Sequence, residues 1–453
     1  MIRRRVARWP LVGGPLAPSG TVAPVPHDRL DSLVSPYGVV SRVRRRRPAR
    51  GLGSVHVWVA SAGLGSSQHG HARAFPAGQL VGAGLHGHDP ERAQLVAIAE
   101  AAERYAAGDF LGEPVRWARA RDLDGAVIGP ESVPRCSAAE LASSGCPLTA
   151  LTGDAVIRWV RGIDLASGEP VWLPAIMACY GLRDIRPAER FWYRISTGYA
   201  VHTDPGEAVV RGLCEVIERD AIALTWLQRL PLPPLPGHGR SDLTGELLVW
   251  CERHFVRTYL FDATTDMEVP TVYCLQVAEF DTSMRQAVSC ATGRTIAAAA
   301  EKALLEVLRY RLPGMEPPET PPDRSQFRDI THGAAFMGRP QMAPAFGFLT
   351  DGEGRRTAPP RPRLPGEPSR ALDAIMATLA GKGMRAVVVD RTPRELADAG
   401  LTAVCVVVPG LQPMSLHPLA QYRGHPRLYE APGTMGYPSV SEEGLNSWPQ
   451  PFA

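Results

Sequence analysis

A chain of 453 residues has room for one large domain or two to three average ones, and its 45% hydrophobic and 21% charged content is that of a soluble globular protein. A formal net charge of +3 gives no case for nucleic acid or an anionic membrane as the main partner, and no apolar run reaches the length of a membrane span. The eight cysteines form no C-x-x-C pair and no Cys/His group with zinc spacing, which predicts reduced thiols in a cytoplasmic protein.

Residues 1–30 read as a flexible arm rich in Arg, Pro and Gly, too polar for a signal peptide. Residues 33–40 read as a turn leading into a strand, and the basic run Arg42 to Arg50 as a solvated edge or strand end rather than a nucleic-acid patch. Val55–Ala60 reads as a second strand. Gly82 to Gly87 reads as a Gly-rich turn, after which Pro90 opens an Ala-rich helix, Glu91–Ala107. That turn fits neither a Walker nor a dinucleotide pattern. Strands are expected at 157–160 and 171–176, joined by a hairpin loop over 162–170. Ser196-Thr197-Gly198 is a polar turn, Asp204-Pro205-Gly206 a break, and from there a helix runs to about Leu230, closed by the Pro-rich link 231–236.

From 242 a pattern occurs twice. A helix (243–255), a strand (258–261), the turn Asp262-Ala263-Thr264 and a strand (271–277) are matched by a helix (372–379), a strand (386–389), the turn Asp390-Arg391-Thr392 and a strand (403–408). Two related modules explain this, as does coincidence between two ordinary α/β units. A further helix is expected from Ile296 to about Arg311, with Pro-rich loops at 313–322 and 359–368. The tail, 445–453, is Pro-spaced and apolar. It is either a disordered end or a rigid extended peptide with a specific place. The fold class is α/β (mixed α+β), with the body at 31–453.

Three helices share a charge theme. The first carries E-x-x-E-R at Glu100, Glu103 and Arg104, the second the same at Glu215, Glu218 and Arg219. The third carries E-x-x-R-x-R at Glu306, Arg309 and Arg311. Each spacing places charged groups one turn apart on one helix face. A solvated face would produce this, and so would a polyacidic pocket edged by Arg. Such a pocket needs divalent cations, and Mg2+ suits carboxylate on one side and phosphate on the other, with Arg as a planar phosphate donor.

These residues resemble the YcaO family of ATP-utilising enzymes. The resemblance rests on the two E-x-x-E-R motifs, on Ile195-Ser196-Thr197-Gly198-Tyr199-Ala200, on Phe261-Asp262-Ala263-Thr264-Thr265-Asp266, on Glu306-x-x-Arg309-x-Arg311, and on Val408-Pro409-Gly410-Leu411-x-Pro413 with the Pro-spaced end. It covers roughly residues 30–453 and implies a fold with two related helix–strand modules around a central ATP site. It implies Mg2+ ligands at Glu100, Glu103, Glu215 and Glu218, and nucleotide contacts at Ser196, Gly198, Arg104, Arg219 and Arg311. Two positions depart from the family pattern: Arg309, where many members have Gln, and Val96, where some have Ser.

The same resemblance implies peptide backbone modification. The commonest form is cyclodehydration of Cys, Ser or Thr to thiazoline or oxazoline, with thioamide or amidine formation as a sister activity. A Pro-spaced tail ending at Pro449, Pro451 and Ala453 resembles the end that such cyclodehydratases direct to their active site. The partners implied are a ribosomally made precursor peptide, a separate leader-binding protein (E1-like or winged-helix), a flavin-dependent azoline dehydrogenase, and a second copy in a homodimer. A non-catalytic scaffold is the reading from another class, and an intact set of four glutamates argues against it.

Overall fold

Three β-sheets, each with helices packed against it, organise the protein. The computed structural model describes residues 27–48, 50–63, 81–108, 115–235, 241–312, 319–327, 331–351 and 358–452. The arm expected at 1–30 lies outside the described residues as far as 26. It enters them as a short helix, His27–Asp31.

The first sheet is β1 (Val40–Arg46), β2 (Val55–Ala62) and β3 (Val81–Gly87), antiparallel in that order, with α1 (Pro90–Ala106) packed across it. The basic run is an outer strand, with Arg42, Arg44, Arg45 and Arg46 exposed. Gly82 to Gly87, expected as a turn, is the strand β3 itself. Its glycines serve packing: a Cβ at Gly84 would run into the Ala93 carbonyl, and one at Gly82 into the Ala97 carbonyl. Bare backbone lets α1 settle directly on the strand.

Next come β4 (Ile157–Asp164) and β5 (Pro170–Pro174), the expected hairpin, and the buried strand β6 (Tyr199–His202). Residues 175 and 176, expected as the end of the strand, belong instead to a helical turn, Ala175–Ala178. α2 (Pro205–Leu227) follows β6 and is the most enclosed helix of the site. Sixteen of its 23 residues are buried, including Val209, Val210, Leu213, Ile217 and Ile222. α3 (Asp242–Arg253) precedes the second three-stranded sheet, β7 (Val256–Asp262), β8 (Thr271–Ala278) and β9 (Gln286–Thr292). α4 (Ile296–Leu308) packs on β8 and β9. It stops short of the expected Arg311, because 309–311 tighten into a 3₁₀ turn. Finally α5 (Pro368–Gly381), β10 (Val387–Asp390) and β11 (Thr402–Val407) complete the large sheet. Its order is Ala126–Val127, β5, β4, β10, β11, β6, with Arg116–Ala118 also on β4. α6 (Arg427–Thr434) packs against α2.

The repeated Asp-x-Thr pattern is a shared hydrogen-bond unit. Asp262 Oδ1 accepts the Thr264 N–H at 2.9 Å, and Thr264 Oγ1 accepts the Thr271 N–H at 3.1 Å. Asp390 Oδ1 accepts the Thr392 N–H at 2.9 Å, and Thr392 Oγ1 accepts the Ala403 N–H at 3.0 Å. In each case the Asp side chain closes a turn and the threonine ties down the next strand.

The likeness extends to a third unit. β3, β6 and β9 each run through a capped turn into a helix, namely α1, α2 and α4. The caps are Asp89, Asp204 and Thr295, whose side chains accept the N–H of Arg92, Glu207 and Ala298. In all three helices a Glu stands eleven residues after the cap: Glu100, Glu215 and Glu306. Fourteen residues after the cap stand Glu103, Glu218 and Arg309. With 3.6 residues per turn, a fixed offset from the cap fixes the face on which these groups emerge. α1 also packs against β6, and α2 against β9, so the units follow one another around the site.

Candidate active site

Each of the four motif glutamates is pinned by a backbone N–H. Glu100 Oε2 accepts from Ala83 at 2.9 Å, and Glu103 Oε1 from Val201 at 3.2 Å. Glu215 Oε2 accepts from Gly198 at 3.0 Å, and Glu218 Oε2 from Thr292 at 2.8 Å. The donors sit in β3, β6, the turn before β6, and the end of β9. Two of these bonds stay within a unit and two cross to the next, so the strands hold the carboxylates of α1 and α2 against one another. Arg104 caps Glu100 Oε1 at 3.0 Å, and Arg219 caps Glu215 Oε1 at 3.2 Å.

The Gly198 N–H reaches Glu215 because the residue is left-handed (φ 87°) and passes so near Val406 that a Cβ would strike the Val406 carbonyl. Ser196 and Thr197 precede it in this polar turn, and the Ser196 carbonyl accepts the Tyr199 N–H. Thr197 Oγ1 and Arg219 Nε are both buried without a partner among the described residues.

The third helix completes the wall. Lys302 Nζ lies 3.4 Å from Glu218 Oε2 and 3.8 Å from Glu306 Oε1. Glu306 is in the field of Glu218, and Arg309 in that of Glu306 and Glu100. Arg311, expected among the phosphate contacts, points elsewhere. Its guanidinium bonds Asp281 Oδ2 at 3.1 Å, the Met284 carbonyl and Gln276 Oε1, and none of these bonds reaches a motif glutamate. Five residues beyond Glu306, Arg311 stands about 140° around the helix axis, and the 3₁₀ turn at 309–311 carries it further from that face, to Asp281.

The tail is an ordered, extended segment over 445–452. Pro449, Gln450, Pro451 and Phe452 are all buried. The Trp448 carbonyl accepts Trp226 Nε1–H at 3.1 Å, the Asn446 N–H donates to Leu227, and Phe452 meets Tyr273 edge-on with ring centres 5.5 Å apart. Tyr273 pairs across the sheet with Cys290, itself in the field of Glu218 and Glu306. The tail thus runs from the C-terminal end of α2 towards the strands behind the acidic wall. Ala453 lies outside the described residues.

Two features were not anticipated from the sequence. Lys302 is one. The other is a buried clamp on the same helix as the glutamates. Asp220 receives both arms of Arg427 at 2.6 Å and the Gln412 N–H at 2.8 Å, while Arg427 also bonds Asp266 at 2.8 Å and Lys382 bonds Asp266 at 2.7 Å. The P-G-L-x-P segment is thereby fastened to α2. A cavity of about 1080 Å³ lies elsewhere, along the outer edge of β7 by Phe255, Tyr259 and Phe280, and none of the motif glutamates lines it.

The acidic wall has the character of a cation site. Burial first, then Glu215 and Glu100, push the Glu103 carboxyl up to about 8. Burial also raises Glu306 to about 7, with Glu218 adding to it. Among the described residues no three His, Cys, Asp or Glu side chains close on one point as a ready-made metal cage. Mg2+ does not need one, because it takes one or two carboxylates and completes its shell with water and phosphate oxygens. Carboxylates each anchored by a backbone N–H, unpartnered donors at Arg219 Nε and Thr197 Oγ1, and strong mutual repulsion fit Mg2+ with a phosphate ligand.

The sign of the pH dependence follows. A carboxyl whose folded value is above its unfolded value of about 4.5 contributes stability that is full below that value and is lost as pH rises towards about 8. A cation that binds the ionised form is favoured at the upper end of the same window. The thermal stabilisation given by Mg2+ with a non-hydrolysable ATP analogue is therefore expected to grow between about pH 6.5 and about pH 8.5. A flat profile across that range would contradict a shared carboxylate site.

Comparison with known proteins agrees with this geometry. Residues 86–412 match the family model described as YcaO cyclodehydratase, ATP- and Mg2+-binding. An uncharacterized protein in the tfuA 3' region of Rhizobium leguminosarum bv. trifolii is 31% identical over 192 residues, 41% of this chain and 42% of that protein. An uncharacterized protein of Methanothermobacter thermautotrophicus is 28% identical over 182 residues, 40% of this chain and 44% of that one. These alignments span less than half the length of either relative. In fold the chain is similar to a heterocyclase in complex with substrate and cofactor (TM-score 0.77, 22% identity, 95% of this chain and 57% of that one). It is also similar to the YcaO protein from Methanopyrus kandleri bound with AMPPCP and Mg2+ (TM-score 0.55, 20% identity, 83% and 86%). A chain of the E. coli microcin synthetase McbBCD complex is similar as well (TM-score 0.59, 13% identity, 91% and 96%).

Proposed function

The chain belongs to the YcaO family, and on that footing we propose that it uses ATP and Mg2+ to modify the backbone of a ribosomally made peptide, specifically by cyclodehydration. The observation that carries the reading is the acidic wall: four glutamates from two helices, each anchored by a backbone N–H, with Arg104 on Glu100 and Arg219 on Glu215. Glu100, Glu103, Glu215 and Glu218 would hold Mg2+. The Ser196–Gly198 turn, Arg104 and Arg219 would line the nucleotide. Arg311 is left out, because its guanidinium is committed to Asp281.

Bound ATP supplies a phosphoryl group that turns an amide oxygen, a very poor leaving group, into a good one. In the substrate, a Cys, Ser or Thr side chain adds to the preceding carbonyl. The oxyanion takes the γ-phosphoryl group, and phosphate departs as the ring double bond forms. The products are an azoline, ADP and phosphate, with the peptide lighter by one water. For this chemistry the protein supplies position and charge neutralisation. The fixed carboxylates hold the reacting groups in one arrangement, and Arg104 and Arg219 offset the carboxylate charge from within. The buried tail, with Pro449 and Pro451, would form a rigid wall.

A leader-binding protein would present the precursor peptide, an azoline dehydrogenase would follow where rings are oxidised, and a homodimer is the expected assembly. Among the described residues no helix is long and apolar enough to cross a membrane. The test is incubation with Mg-ATP, a leader-binding partner and its precursor peptide, with and without added sulfide. A mass loss of one water per ring is expected. Replacement of oxygen by sulfur in the arm with sulfide would select backbone thioamide formation instead. An unchanged peptide mass with folded protein and bound nucleotide would overturn both and leave a scaffold.

A further inference from the structure

We propose that Lys302 is a phosphate-binding residue of the nucleotide site, held as a counter-ion of Glu218 and Glu306 until a polyphosphate arrives. The inference rests on the ATP and Mg2+ reading above and adds a residue to it.

Three observations carry it. The first is placement. Lys302 lies one turn before Glu306 on α4, and its ammonium spans the gap to α2, 3.4 Å from Glu218 and 3.8 Å from Glu306. Arg104 and Arg219 are each bonded to a glutamate of their own helix, four residues away. Lys302 is thus the cation that faces the acidic wall from the third helix, with Arg309 one turn beyond Glu306 in the same field.

The second is redundancy. Lys302 contacts the Glu218 oxygen that already accepts the Thr292 N–H at 2.8 Å and is 3.4 Å from the Thr292 hydroxyl. Its own contact with that oxygen is much longer than the backbone bond. Glu218 keeps its place without Lys302, so fixing the carboxylate is not what the lysine is needed for. The third is freedom. The Lys302 side chain is 51% exposed, whereas that of Glu218 is 6% exposed. A flexible four-carbon stem with a half-open head can swing. The planar guanidiniums of Arg104 and Arg219 are held along their own helices at 3.0 and 3.2 Å, tighter than the 3.8 Å that separates Lys302 from Glu306.

These facts define an exchange. With Mg2+ held by Glu218 and its three companions, Lys302 would lose most of its attraction to Glu218 and keep only the 3.8 Å contact with Glu306, leaving its ammonium able to turn to phosphate oxygens. No bond is made or broken in this step. A point charge with rotatable donors suits phosphate oxygens whose arrangement changes as a phosphoryl group leaves. Arg311, the other cation of this helix end, is held by Asp281 and leaves the role to Lys302.

The test is calorimetric titration of the full chain with a non-hydrolysable ATP analogue and with AMP, with and without Mg2+. Wild-type protein that binds the analogue only with Mg2+ supports the underlying reading, and wild-type protein that does not bind sinks that reading whatever Lys302 does. Given wild-type binding, Lys302→Met is expected to weaken the analogue by about tenfold or more, the effect of losing one charge-assisted hydrogen bond. AMP should weaken less, and Lys302→Arg should restore most of the loss. Equal affinities in wild type and Lys302→Met would overturn the proposal. So would an equal loss for analogue and AMP, or a fall in melting temperature that Lys302→Arg does not repair, because either marks a purely structural counter-ion.

Discussion

Glu218→Ala is expected to abolish Mg2+-dependent nucleotide binding and to lower peptide-modifying activity on the order of a thousandfold or more, the scale of losing a principal electrostatic contact at a transferring phosphoryl group. The side chain is buried, and it is the point where α2, the end of β9 and α4 meet, through Thr292 and Lys302. Alanine also strands the Thr292 N–H, at roughly 1–3 kcal/mol for an unsatisfied buried donor. Glu218→Gln separates the two effects, since its amide oxygen still accepts from Thr292 while the charge is gone. Both variants should fail in nucleotide titration, but only the alanine should melt appreciably earlier. Retained Mg2+-dependent binding in the glutamine variant would remove Glu218 from the site.

The second large effect is on stability. Asp220 is wholly buried and Arg427 nearly so, and the two carry opposite charges at 2.6 Å. Removing one member of such a pair leaves a charge in the interior, at about 3–5 kcal/mol. Asp220→Ala is therefore expected to lower the denaturation midpoint sharply. Arg427→Met should do less harm than Arg427→Ala, because methionine refills the volume. Double replacement by apolar residues should recover part of the loss. Chemical denaturation of the four proteins checks this, and single variants as stable as the wild type would show that the clamp contributes nothing.

The parts of the fold most legible in sequence were those governed by short-range rules. The Asp-Pro break at 204–205 and the apolar stripe after it gave α2, and Asp262-x-Thr264 and Asp390-x-Thr392 gave two matching turns. Paired glutamates at one-turn spacing pointed to a common face, and the resemblance supplied their convergence. What the sequence hid depends on neighbours distant along the chain. β3 resembled a turn because glycine serves bends and close packing alike, and only α1 lying on Gly84 decides between them. The resemblance gave the phosphate contact to Arg311 and marked Arg309 as a departure, whereas Asp281, 30 positions away, captures Arg311. The Asp220–Arg427 pair is 207 positions apart, beyond any local pattern. Thr292 acts through its backbone N–H, to which residue identity gives no clue.

The repeated cap-to-glutamate spacing also bears on how a ligand is oriented. Three identical strand–cap–helix units would surround the centre with the same charge on every side, and an elongated anion would have no reason to lie one way rather than another. Arg309, where the other two units carry Glu103 and Glu218, breaks that equivalence. One side of the ring becomes cationic and two remain acidic, so the field across the cleft has a direction. An asymmetric molecule with a charged chain at one end and a neutral ring system at the other then meets a site with a front and a back, and a single substitution in one of three like elements is enough to set which is which.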